Sequence, residues 1–268
     1  MLWWRFYYEI CSCSLIATEA IELAGEQYRG TTMIKRLSVV LIASLLLVNF
    51  AQANEKIDLK DGKVHDIKKV AGISCTIRVD YLHKGEPTTL NFTSKEQHSH
   101  FIEAYQESIV NMDNAVCHSI VGHDNSTIKV YDSEILLTSA YNSSVLNLTN
   151  SAFYEVCLVD DAKANIKDCR IKRLSTQSRV PVAVTSGRFD SLVASDNGQI
   201  IIIGSDFKFD DVPTKLTKIS LANVKQAEEH TLSFILENKY KVLAKIALYD
   251  KGSIVLEQIK DKTEVKPK

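Results

Sequence analysis

From Ser126 the chain breaks into short apolar runs, each closed by Asp, Asn or Ser: STIKVYDSEILLTSAYNSSVLNLTNSAFYEVCLVDD. Runs this short, bounded by turn formers, suit strands; a helix needs about ten residues or more. The pattern continues to the C-terminus. Asp196-Asn197-Gly198 is a turn leading into QIIIIG, and Ile200–Ile203 is apolar enough for a fully buried strand. TLSFILENKYKVLAKIALYDKGSIVLEQIK reads as a three-strand meander with turns at Glu237-Asn238 and Asp250-Lys251-Gly252, preceded by a short helix over Ser220–Glu229. Residues 123–262 are therefore expected to form antiparallel hairpins packed as a sandwich or barrel, and residues 263–268 a charged tail. Hairpin-like stretches around Cys157, Ile203 and Ala247 recur at about forty to fifty residues, so partial propeller-like repeats are the alternative.

Residues 54–122 carry a different pattern. Two β-rich runs, Ile73–Leu82 and Thr88–Phe92, flank Lys84-Gly85-Glu86-Pro87. Ser94-x-x-Gln97 (or Thr93-x-x-Glu96) then resembles a capping box, and Phe101, Ile102, Tyr105, Ile109 and Met112 share one helical face. With a short strand over Cys117–Val121, this predicts a β-β-α-β unit. The fold class is thus mainly β with one or two helices, an α+β arrangement.

Export is written upstream. MIKRLSVVLIASLLLVNFAQANEK begins at Met33 with Lys35 and Arg36, continues through an apolar run and ends in Ala51-Gln52-Ala53. That is the layout of a cleavable signal peptide over residues 33–53, with Asn54 as the first mature residue. Asn54 stands where a lipoprotein would carry cysteine, and the run is short for a membrane span. Arg29-Gly30 shortly before Met33 reads as a translated ribosome-binding site, which makes residues 1–32 an upstream extension. The expected location is periplasmic or secreted, with no integral membrane span in the mature chain.

An exported chain can form disulfides, and four of the six cysteines follow residue 53: Cys75, Cys117, Cys157 and Cys169. Cys157 and Cys169 lie in two strand-like runs around a polar loop, which suggests a hairpin bridge. Cys75–Cys117 follows by elimination. Asn91, Asn125, Asn142 and Asn147 lie in glycosylation sequons, which carry weight only in a eukaryotic host. With 32 basic and 33 acidic residues the net charge is −1, which gives no electrostatic footprint for nucleic acid.

Chemistry-bearing patterns are sparse. No G-x-S-x-G, H-E-x-x-H, P-loop or G-x-G-x-x-G occurs. On the predicted helix His98 and His100 point about 200° apart and cannot chelate together. Glu96, His100, Glu103 and Glu107 share its polar face, which solvent exposure alone accounts for. Asp160-Asp161 and Asp206, Asp210 and Asp211 match no calcium loop and suit turns. Cys117-His118 with His123 hints at a thiolate pair, but an even cysteine count favours a bridge. No catalytic residue, metal ligand or cofactor is expected. The functional expectation is an exported, soluble, non-catalytic protein that binds a protein, glycan or lipid partner. The alternative is an exported hydrolase or carbohydrate-active enzyme with residues scattered in sequence.

Overall fold

Inward and outward residues alternate along the apolar runs, the period of a strand. Ile128 and Val130 are buried while Thr127 and Lys129 are half-buried, and the same holds for Leu146 and Leu148 against Val145 and Asn147. The structure, a computed structural model, describes residues 54–69, 74–81, 85–95, 99–209, 217–220, 230–237 and 239–258. Within them every regular element is a strand. The first eight are β1 (Asn54–Leu59), β2 (Val64–Ile67), β3 (Ser74–Val79), β4 (Thr89–Phe92), β5 (Ser99–Ala104), β6 (Ile109–Asp113), β7 (Val116–Gly122) and β8 (Thr127–Tyr131). Next come β9 (Glu134–Ala140), β10 (Val145–Thr149), β11 (Ala152–Leu158), β12 (Lys163–Lys167), β13 (Arg170–Thr176) and β14 (Val182–Val184). The last are β15 (Arg188–Ala194), β16 (Gln199–Phe209), β17 (Lys218–Ser220), β18 (His230–Leu236), β19 (Lys241–Leu248) and β20 (Ser253–Gln258).

From β1 to β14, each strand pairs in parallel with the strand two further on. The odd strands from β1 to β15, ending on β19, form one column; the even strands from β2 to β16, ending on β20, form the other. The chain is a parallel β-solenoid of about eight turns, with two strands to a turn. Register fixes the period. Val116 lies against Glu134, Glu134 against Ala152, Ala152 against Arg170 and Arg170 against Arg188. From β5 to β16, side chains that meet across neighbouring turns are 18 residues apart, as in Asn142 with Asp124, whereas the earlier turns are longer, with offsets of 20 and 25 residues. The inward rows of both columns close on one core, with Phe92, Phe189, Ile102, Met112 and Ile120 among its largest fully buried side chains.

Two corners per turn make the coil. At the first, a residue with φ near +55° is followed by an N–H returning to a carbonyl three residues back, as in Ser126 to His123, Ser144 to Tyr141 and Ala162 to Val159. Asp124, Asn142, Asp160, Asp196 and Asp250 hold this left-handed position, and Asp132, Asn150 and Asp168 hold its counterpart at the second corner. Asn and Asp tolerate that conformation because their short side chains bond locally. The second corner is stitched by hydroxyls: Ser133 Oγ accepts from Ala115 N at 3.0 Å, and Ser151 Oγ accepts from Ser133 N at 3.1 Å. Along the outer edge, Arg78 stacks on Tyr105 at 4.4 Å, Tyr105 on His123 at 4.6 Å and His123 on Tyr141 at 5.4 Å.

An excursion follows β16 before the coil resumes. Ser191 pairs with Lys245 and Gln199 with Ser253, so β19 and β20 stack directly on β15 and β16. β17 and β18 belong to the excursion and run antiparallel on β20 and β19, finishing that end of the coil with strands of opposite sense.

This architecture corrects the expected α+β fold. The predicted helix is strand β5, a corner and strand β6: His100, Ile102, Ala104, Val110 and Met112 point inward, while Phe101, Tyr105 and Ile109 are half-buried. A strand–corner–strand path can place apolar residues three or four apart and so imitate a helical stripe. The hairpins of a sandwich or barrel are replaced by parallel stacking, and the propeller alternative had a repeat but the wrong period and pairing. Of the C-terminal meander, β18–β19 is antiparallel as expected, whereas β20 stacks on β16. The proposed extension (1–32), signal peptide (33–53), charged tail and residues 221–229 of the short helix lie outside the described residues, as do Glu96, His98, Asp210 and Asp211.

The structure shows neither predicted bridge: no disulfide joins any two of Cys75, Cys117, Cys157 and Cys169. Cys75 lies in register with His100, one strand short of Cys117, so two strand spacings of about 4.8 Å separate them, beyond the roughly 7 Å a disulfide spans. Cys157 faces outward between Ser139 and Ser175, while Cys169 sits in the second corner with its Sγ 3.3 Å from Lys167 O. That is the contact Ser151 Oγ makes with Thr149 O one turn earlier, so Cys169 replaces a corner serine.

Candidate functional site

One surface groove has a local cause in the strands. In β7, β9, β11, β13 and β15, the buried second residue is followed by two residues that do not point inward. The ladder skips the first of these: Cys117 pairs with Ile135 and Ser119 with Leu137, passing over His118 and Leu136. The strands bend there, as at a β-bulge. Because the bend repeats every turn, it produces a row along the coil: His118, Leu136, Tyr154, Lys172 and Asp190. A second row, Val116, Glu134, Ala152 and Arg170, starts the same strands. Between them runs a shallow groove of about 690 Å³.

Its middle is apolar and open, with Leu136 41% and Tyr154 47% exposed. Charges surround it. Lys172 Nζ lies 4.3 Å from the Tyr154 ring centroid, and Arg173 Nε is 3.7 Å from Glu155 Oε1. His118 packs on Phe101 at 4.9 Å between centroids, and burial pulls its pKa below the ordinary value, favouring neutral imidazole. Glu134 and Asp190, the carboxylates of the groove, stand three turns apart, about 14 Å along the stack. Paired glycosidase carboxylates are separated by about 5 to 9.5 Å.

The residues singled out by sequence are dispersed. His100 faces the core beside Phe92 at 5.5 Å, Glu103 and Glu107 lie outside the core, and Glu103 accepts from Tyr105 Oη at 2.9 Å. Cys117 and His118 point to opposite sides of β7, so they cannot form a thiolate pair. Cys117 Sγ instead contacts His100 O at 3.1 Å, and burial pushes its pKa up to about 12. Asp160 occupies a corner, Asp161 pairs with Arg179 at 2.9 Å, and Asp206 lies 3.6 Å from Lys208. Among the described residues no group of three His, Cys, Asp or Glu side chains could hold a metal ion, and no helix is long and apolar enough to cross a membrane. Sequence reading missed the groove; its signal was an inward residue, two outward residues and an inward residue, repeated every 18. The chain matches no family model, and neither a curated protein nor a solved structure matches it.

The thiols give a pH prediction. An unfolded thiol titrates near 9.0, whereas folded Cys117 keeps its proton to about 12. Stability from this group is complete below pH 9 and is lost as pH rises from 9 towards 12, on the order of 4 kcal/mol at the upper end. Urea melts at pH 8 and pH 10.5 should therefore differ more for the parent than for Cys117→Ala. Equal losses would refute the assignment.

Proposed function

We propose that the protein is exported and acts as a non-catalytic recognition module, holding a segment of a partner protein in the groove across β7–β15. The observation that carries this reading is the open apolar strip of Leu136 and Tyr154 beside Arg170 and Lys172. Aromatic and arginine side chains around an apolar centre are the composition of protein-binding hot spots. The spacing of Glu134 and Asp190 weighs against paired-carboxylate hydrolysis. Export is supported by the signal pattern of residues 33–53 and by β1 opening at Asn54, immediately after Ala51-Gln52-Ala53.

The test is photo-crosslinking in intact cells with benzoylphenylalanine at position 154, and separately at position 64, where exposed Val64 lies on β2 in the other column. A discrete adduct with an extracytoplasmic protein from 154 alone is expected. No adduct, the same adduct from both positions, or a cytosolic partner would overturn the reading.

A further inference from the structure

The outward face of the even column carries a second surface with different chemistry. One row crosses six strands in register: Asp66, Asn91, Asn111, Lys129, Asn147 and Asn165. Its amides bond along the coil. Asn91 Nδ2 donates to Asp66 Oδ1, Asn111 Nδ2 to Asn91 Oδ1 and Asn165 Nδ2 to Asn147 Oδ1, each at 2.8 Å. The chain of bonds stops at Lys129. Asn147 Oδ1 accepts from Asn165, while the Asn147 Nδ2 and the Lys129 ammonium are donors on register neighbours. Neither has an acceptor among the described residues. Lys163 and Lys167 flank Asn165 on β12, two residues to either side, and so share its outward face.

Lys129, Lys163 and Lys167 make no ion pair among the described residues, whereas Arg78, Arg173 and Arg179 each have a carboxylate partner. A shallow groove of about 560 Å³ crosses this face, lined by Lys129, Tyr131, Asn147, Thr149, Asn165 and Lys167 among others, with no carboxylate in its lining. Cations and amide donors without acceptors call for an anionic ligand.

We propose that this face binds an acidic polysaccharide, with Lys129, Lys163 and Lys167 meeting its anionic groups and the Asn147 amide a hydroxyl or carboxylate oxygen. The groove is open and extends along the coil, which suits a polymer chain. Amides and hydroxyls between the cations match a sugar's hydroxyls. A lipid surface would call for an apolar wedge, and Tyr131 is the one large exposed apolar side chain in the lining. This is a different face from the proposed protein groove and stands or falls separately.

Affinity electrophoresis of the purified protein tests it, with gels containing polygalacturonate or neutral dextran. Polygalacturonate should retard the protein in a salt-sensitive manner, while dextran should not. Replacing the three lysines by glutamine should weaken retardation about tenfold or more, whereas Tyr154→Ala should leave it unchanged. Far-UV circular dichroism establishes that both variants are folded. Absence of retardation, or an unaltered folded triple variant, would overturn the proposal. So would binding to phosphatidylglycerol vesicles or single-stranded DNA as tight as to polygalacturonate, since the face would then be a general anion or membrane surface.

Discussion

A variant lacking residues 134–151 should fold into a coil one turn shorter and unfold cooperatively, whereas a variant lacking residues 134–142 should not fold. The first deletion removes β9, β10 and both their corners. It joins Ser133 to Ala152 and brings Cys117, Ile120 and Gly122 against Phe153, Val156 and Leu158, positions that already alternate alike. Each turn contacts its neighbours alone, so stability is close to a sum over turns and interfaces. The denaturant m-value should fall by roughly a tenth, since m follows the surface exposed. The second deletion removes half a turn. It moves β10 and every later strand into the wrong column, and the bent strands no longer stack on one another. Circular dichroism and urea titration of the two variants separate the outcomes. Equal tolerance of both deletions would mean that the 18-residue turn is not the folding unit.

Gly198→Ala should cost about 3 kcal/mol or more, and Gly252→Ala a similar amount. A Cβ at Gly198 would stand 2.2 Å from Thr176 O, and one at Gly252 would stand 2.0 Å from Ala194 O. Both obstacles are backbone of the preceding turn, which cannot move without disturbing the ladder. The equivalent corner position holds Ser126, Ser144 and Ala162 in earlier turns. Below Gly198 the corner over Gln177–Pro181 takes another path and lacks the left-handed Asx residue. Gly122→Ala meets side-chain atoms at 3.1 to 3.3 Å and should cost less. Urea midpoints give the order, and a Gly122 variant as damaged as the Gly198 variant would contradict the corner geometry.

Much of the strand content was legible because alternation and turn residues mark it locally. The strands at Phe153–Val159, Gln199–Gly204 and Lys241–Gln258 fall close to where the pattern places them. Pairing was not legible. Asp124, Asp132, Asn142, Asn150, Asp160 and Asp168 recur with alternating gaps of eight and ten residues, but Asn or Asp at positive φ serves a hairpin as well as a coil corner. The 18-residue period is carried by residue class, with Ser133, Ser151 and Cys169 sharing one corner role, so no repeated string reveals it. The cysteines show the same limit: an even count suggests bridges, whereas Cys169 serves here as a corner side chain and Cys117 as core. The protein groove was hidden for a related reason. Leu136 and Tyr154 are neighbours through stacking at 18 residues, and nothing local to either one marks it as a site.

Stacking of 18-residue turns at strand spacing can be read from spin-label distances between corner tips. Glu107, Asn125, Asn197 and Lys251 are exposed tips of the same corner in different turns. With Cys157 replaced by serine, label pairs at 125/197, 107/197 and 107/251 span four, five and six turns. Their separations should rise linearly, at about 19, 24 and 29 Å. The third pair is the most decisive, because the 54 residues from 197 to 251 should add one strand spacing. A 107/251 distance shorter than the 107/197 distance, or three distances that do not increase together, would contradict the solenoid.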